Sequence, residues 1–173
     1  MTERDEPLED GAFCRLRTGD PVGAWLFKAN PDVWDVLAFL KSGADVDSWR
    51  MAPSYRVDLV APGQPAVLWV TGPASGPHVP GVWAIGEISG EVFEDVGDPD
   101  DPLWRDHGAK HQVRPFVEMT MQVLAEPISR MELADDPRFA EAEILTRPRM
   151  GSPVALRPIE LDVIDELAAD RRG

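Results

Sequence analysis

Apolar residues come in short runs along this chain, separated by breaks rich in proline and glycine. Residues 24–28 (AWLFK) are an apolar run closed by a charge, the pattern of a buried strand. Asn30-Pro31 carries N-cap and first-turn chemistry. Val33, Val36, Leu37 and Leu40 then recur at helical spacing, which predicts a helix closed at Ser42-Gly43. Residues 47–51 and 53–56 are short and mixed, and residues 61–65 are a turn. Residues 66–71 and 82–92 predict two strands, an antiparallel pair joined by the glycine- and proline-rich loop 72–81. Residues 111–124 alternate. Val113, Val117, Met119, Met121 and Val123 share one face and Arg114, Glu118, Thr120 and Gln122 the other, which predicts a long half-buried strand. Asp136-Pro137 predicts a short helix ending near Ile144, and residues 153–156 a last strand. A closing helix follows over 160–169, with Val163, Ile164, Leu167 and Ala168 inward and Arg171 and Arg172 suiting its C-terminal dipole. Five or so strands with short helices make an α+β domain around a curled sheet.

Composition adjusts this picture only at the ends and in the charge. The chain has 173 residues, one domain's worth. Residues 1–21 read as an acidic, flexible tail on which Phe13 and Leu16 are the local anchors, and residues 22–170 as the folded domain. No apolar run reaches the roughly 20 residues of a membrane span. The N-terminus lacks the apolar stretch of a secretory signal, and the lone Cys14 has no disulfide partner. A cytoplasmic location is the expectation. Seventeen basic and 31 acidic residues give a net charge of −14. A protein held to duplex DNA by its phosphates is basic instead. The acid is concentrated, however. Glu3, Asp5, Glu6, Glu9 and Asp10 oppose only Arg4, and Glu87, Glu91, Glu94, Asp95, Asp98, Asp100, Asp101 and Asp106 oppose only Arg105. Residues 145–157 carry Arg147, Arg149 and Arg157 with no acid. The run Asp98 to Asp101 lacks the glycine and ligand spacing of a calcium loop, and His78, His107 and His111 show no metal spacing. No metal and no cofactor are expected.

WLFKANPDVWDV, SWR, AVLWVTG and PGVWAIGEISGE, in that order, with LTRPRMGSPVALRPIE and a terminal helix after them, resemble the EVE domain. That family belongs to the PUA-like superfamily and is related to YTH domains. The match runs from about Ala24 to Leu167. The resemblance implies a PUA-like, barrel-like mixed β-sheet with flanking short helices, and a protein that reads modified bases in DNA or RNA. Lys28 and Pro31 match a strand-to-helix signature that usually reads Lys-Ser-Glu-Pro, with Ala29 and Asn30 in place of its middle residues. Asn30 is similar to an asparagine that YTH domains set beside the base. Trp49 falls where related domains put one wall of the base-holding cage, and Trp104 where YTH domains put the second. Trp69 and Thr71 lie on a strand end that in EVE domains commonly reads Tyr-His-Ser. A nuclease or a base-modification system is the partner this implies; oligomeric state is left open.

The chemistry of base reading sets its own demands. The base leaves its stack at a cost of a few kcal/mol. It is held by aromatic faces worth about 1–3 kcal/mol per base, and its edges meet polar groups whose unpaired burial would penalise the wrong base. Six tryptophans are available against one tyrosine. Trp25 and Trp83 occupy core strand positions, and Trp34 lies off the main apolar face of its helix, packed in the core or on the surface. Trp69 and Tyr55 stand between core and pocket, and Lys28 between pocket and solvent. Trp49 and Trp104, among polar neighbours, are the pocket candidates, with Arg50 beside them. Arg56, Arg147 and Arg149 are candidates for the nucleic-acid backbone, or for pairing with the acidic tail. Two other functions compete. One is a PUA-like amidohydrolase acting on an acylated nucleoside, for which Lys28 and Glu87 are two of the parts. Its nucleophilic hydroxyl is missing after Lys28, leaving Thr71 as substitute. The other is a protein-interaction module working through the acidic tail.

Overall fold

The computed structural model describes residues 14–171. Six strands form one mixed sheet in the order β2-β5-β4-β3-β1-β6. They are β1 (Ala24–Ala29), β2 (Ser48–Arg50), β3 (Pro65–Val70), β4 (Gly81–Asp95), β5 (Arg114–Ser129) and β6 (Val154–Leu156). β1 runs parallel to β3, and every other pair is antiparallel. Among the described residues four α-helices flank them: α1 (Val36–Lys41), α2 (Arg130–Ala134), α3 (Glu143–Thr146) and α4 (Pro158–Ala168). The sheet curls into a half-barrel, so that the Trp49 indole Nε1 on the edge strand β2 donates to the Lys28 carbonyl on β1 at 3.2 Å. Beyond β2, the Ala52 N–H donates to the Ser152 carbonyl at 2.8 Å.

Strand alternation divides the apolar residues between two cores. Trp25, Phe27, Leu68, Val70, Ala84, Ile88, Val117 and Met119 fill the inside of the curl, with Val36 and Leu40 of α1. Leu26, Val67, Trp69, Val82 and Ile85 face outward under Leu133, Ile144, Val163 and Ile164 of the other helices. Covering the sheet on both sides is what makes β1 and β3 read as continuous apolar runs. Gly86 sits where β4 crosses β5, and a Cβ there would run into the Thr120 carbonyl.

The structure departs from the sequence expectations at several joints. The helix predicted from Asn30-Pro31 begins only at Val36, with Asp35 as its cap accepting from the Ala38 N–H. Upstream, the Asn30 side chain accepts from the Asp32 N–H at 2.9 Å. Trp34 pairs with Trp104 as an isolated bridge and the Asp35 N–H donates to the Leu103 carbonyl, so the turn after Asn30 is tied to the loop 97–104 before the helix begins. β4 continues to Asp95 and β5 to Ser129, past the predicted ends. Val113 lies outside the strand and is exposed. The helix expected from Asp136 is replaced by α2 and α3 with turns between. Ser129 and Glu132 form a capping box that starts the chain coiling early, and Asp136 closes a turn by accepting from the Arg138 N–H. Within the expected tail, Leu16 packs into the inner core and Arg15 bridges Pro21. Phe13, the acidic run of the first ten residues and Arg172 lie outside the described residues.

Arg171 ties the chain end to α2 through Glu132 and the Pro127 carbonyl. Arg171 above all, and the hydrogen bonds from Ser129, hold the Glu132 carboxyl at about 2, against an ordinary value of 4.5. A depressed carboxyl stabilises the fold fully above its unfolded value and loses that contribution as pH falls toward the folded one. Thermal melts are expected to show the wild type losing a stability advantage over Glu132→Gln between about pH 4.5 and 2. A constant difference across that window would remove Glu132 from the clamp.

Candidate functional site

A cleft of about 590 Å³ opens where β2, the start of α1 and the loop 97–104 meet. Lys28, Asn30, Trp49, Arg50 and Trp104 line it, as do Trp34, Phe39, Asp98, Asp101, Arg114 and Phe116. Residues far apart in the chain converge because the half-barrel brings β2 back to the end of β1, and the Trp34–Trp104 bridge fastens the acidic loop across the gap.

The aromatic walls are fixed by their ring nitrogens. Trp49 is half-buried, its indole N–H on the Lys28 carbonyl. Trp34 packs edge-on to Trp49 with centroids 5.8 Å apart and tilts against Phe39 at 5.0 Å. The Trp34 Nε1 donates to Asp101 Oδ2 at 3.1 Å, and the Trp104 Nε1 to the Asp98 carbonyl at 2.8 Å. Each indole thus has its polar atom satisfied, leaving ring surface for contact. The Arg50 guanidinium lies 5.6 Å from the Trp104 ring centroid.

Charge is divided across the cleft. Arg50 donates to the carbonyls of Ala109 and Gln112 at 2.8 and 2.9 Å. Its Nε is buried without a partner among the described residues. Burial, then the neighbouring Arg114 charge, lowers the Arg50 pKa, though a guanidinium stays protonated at any ordinary pH. Arg114 donates to the Gln112 side chain at 2.7 Å. Lys28 Nζ donates to the carbonyls of Pro148 and Met150 at 2.6 and 3.1 Å, and burial pushes its ammonium below the usual lysine range. Asp98 and Asp101 supply carboxylates on the opposing loop.

Six residues put forward from the sequence lie elsewhere. Trp69 is 2% exposed in the outer core. It alternates away from the cleft, because its neighbours Leu68 and Val70 face inward. Thr71 follows β3 and its hydroxyl donates to the Ala29 carbonyl at 3.3 Å, off the cleft. Tyr55 lies in a 3-10 turn, its hydroxyl accepting from the Arg17 N–H and its ring under the Arg17 guanidinium at 4.1 Å. Arg56 is buried, and both its terminal nitrogens bond Glu143 at 2.8 Å. It braces the 3-10 turn against α3 and presents nothing to a ligand. Arg147 and Arg149 are exposed on the loop that Lys28 ties down at Pro148 and Met150, outside the cleft itself. Sequence reasoning missed the cleft roles of Trp34, Phe39, Arg114 and Phe116. For Trp34 the signal was its position off the apolar face of its helix. For Phe116 it was an aromatic residue on the polar face of β5.

The profile of the EVE domain matches residues 23–167. No curated protein sequence matches the chain. Among solved structures it is similar to protein PSPTO5229 from Pseudomonas syringae, with 18% identity and a TM-score of 0.59 over 84% of this chain and 99% of that one. It is also similar to Rpa0253 from Rhodopseudomonas palustris, with 19% identity and a TM-score of 0.54 over 86% of this chain and 94% of that one. The human THYN1 protein, solved in complex with DNA containing 5-methylcytosine, is 18% identical with a TM-score of 0.55, over 84% of this chain and 96% of that one. At such identities the likeness is one of fold.

Proposed function

This chain belongs to the EVE domain family, and on that premise we propose that its cleft captures a single modified nucleobase, turned out of DNA or RNA, and holds it without transforming it. The observation that carries the reading is the convergence of Trp34, Trp49 and Trp104 around an open cleft with Arg50 against one ring. Flat apolar walls suit a planar heterocycle, and each stacked base contributes about 1–3 kcal/mol. Polar groups at the walls' edges, Asn30, Asp98, Asp101 and Gln112, suit the donors and acceptors of a base edge. An added methyl contributes roughly 0.8 kcal/mol when buried, so discrimination by apolar contact alone is a few-fold.

The THYN1 complex with 5-methylcytosine DNA supports methylated cytosine as the first base to try. The test is a binding screen of the purified protein against short oligonucleotides, DNA and RNA, each with one central modified base and an unmodified control. Tighter binding of at least one modified strand supports the reading. Equal affinity for every member, or none for any, overturns it.

Few phosphate contacts are expected from a chain of net charge −14, and hence a shallow dependence on salt. Arg149 is exposed on the loop beside Lys28. Arg149→Ala is expected to weaken all sequences alike and to reduce the salt slope by about one. Titrations between about 50 and 200 mM salt measure it; an unchanged slope takes Arg149 out of the interface.

A further inference from the structure

Resting on the base-capture reading, we propose that Phe93 and Phe116 form a second nucleotide subsite, a platform on which the base next to the captured one stacks. Arg50 on β2 is in register with Phe116 on β5, and Phe116 with Phe93 on β4. Directly paired residues project from the same face of a sheet, so the three side chains make one row leading out of the cleft. Phe116 lines the cleft itself. Phe93 stacks against it, with centroids 5.7 Å apart and planes 21° apart, and is 36% exposed. The row places Phe93 two strand spacings, about 10 Å, from the β2 backbone. It therefore lies outside the captured base's walls, on the face of the sheet opposite Trp49, and is reached from the cleft through Phe116.

Charge selects the occupant. Arg114 shares the face of Phe116 two residues along β5, and with Arg50 it makes the cationic side of the cleft. A nucleotide whose base lies on the phenyl rings brings its phosphate toward these guanidiniums, the combination of stacking and backbone charge by which single strands are held. Asp95 is the cross-strand partner of Arg114 and shares its face, while Glu94 alternates to the opposite one, so phosphate is drawn to the Arg50 end of the row, away from Asp95.

The experiment uses the whole chain and fluorescein-labelled single-stranded DNA of about nine nucleotides, within common site sizes, with one central 5-methylcytosine. Two further strands carry an abasic residue immediately 5′ or 3′ of it. Phe93→Ala is expected to weaken the intact strand about 5- to 150-fold. Phe93→Trp is expected to retain affinity, and Phe93→Leu, apolar without a ring, to lose it. One of the two abasic strands is expected to bind the wild type as weakly as Phe93→Ala binds the intact strand, and Phe93→Ala to weaken that strand no further. Circular dichroism checks that the variants are folded. Unchanged binding by folded Phe93→Ala, while Trp49→Ala loses it, overturns the platform and leaves the base-capture reading standing. A wild type that binds none of the strands overturns the platform for this DNA and leaves the base-capture reading to the wider screen; a Trp49→Ala protein that binds them as the wild type does overturns both.

Discussion

Replacing Trp49 with alanine is expected to weaken binding of a modified oligonucleotide by about 1–3 kcal/mol, the range for loss of one stacking face. The half-buried ring serves two ends: it lines the cleft and it packs against the inner core. Truncating a fully buried tryptophan costs about 3–5 kcal/mol of stability, so a partly exposed one costs less, and the variant remains folded in a protein of ordinary stability. Trp49→Phe separates the two effects. It keeps an aromatic face and most of the packing, and loses the indole hydrogen bond to the Lys28 carbonyl. Binding near that of the wild type is expected for Trp49→Phe, with a small drop in melting temperature. If Trp49→Ala melts far lower and the folded fraction binds unchanged, the residue is structural and the cleft takes something other than a stacked base.

The largest loss of stability is expected from Arg56→Ala. Arg56 and Glu143 meet through two hydrogen bonds, with side chains 10% and 20% exposed. Removing one partner of a buried pair costs about 3–5 kcal/mol, because the other charge is left uncompensated. Glu143 would keep only the Ala155 N–H. Burial alone pushes the Glu143 carboxyl up, but the hydrogen bonds from Arg56 and Ala155 and the charges of Arg56 and Arg147 outweigh it and hold the group below its ordinary value. Its contribution is therefore complete above the unfolded value near 4.5 and declines as pH falls. Without Arg56, burial is opposed only by the Ala155 N–H and the Arg147 charge, so that acid arm is expected to shrink. Urea unfolding at pH 7 and pH 4 measures both effects. Arg56→Met with Glu143→Leu is expected to recover much of the loss, since a well-packed apolar pair can match an ion pair. Oligonucleotide affinity of the folded fraction is expected to be unchanged. A binding defect without loss of stability would return Arg56 to the interface.

How much of this was legible in the sequence depended on the kind of signal. The runs that became β1 and β3, the alternation of β5 and the periodicity of α4 are local, and local patterns report which segments are strands or helices. Lys28, Asn30, Trp49 and Trp104 were found by motif resemblance and neighbouring polarity, and all four line one cleft. Trp69 could not be assigned in that way. It lies in a strand apolar on both faces, and period-two alternation says which residues share a face but not which face holds the cleft. Arg56 failed for a related reason. An arginine in a mixed segment looks solvated until the partner 87 residues on is brought to it.

Taken alone, the chain determined its longer strands and its last helix, its EVE family and the supply of aromatic and cationic side chains, because propensity and periodicity act over a few residues. The tertiary structure decided which of those side chains meet. Curling the sheet brings β2 against β1, the Trp34–Trp104 bridge lays an acidic loop over the gap, and helices on the outer face swallow Trp69. Each of these is a contact between distant segments, set by how two cores are buried at once and by no pattern within either segment.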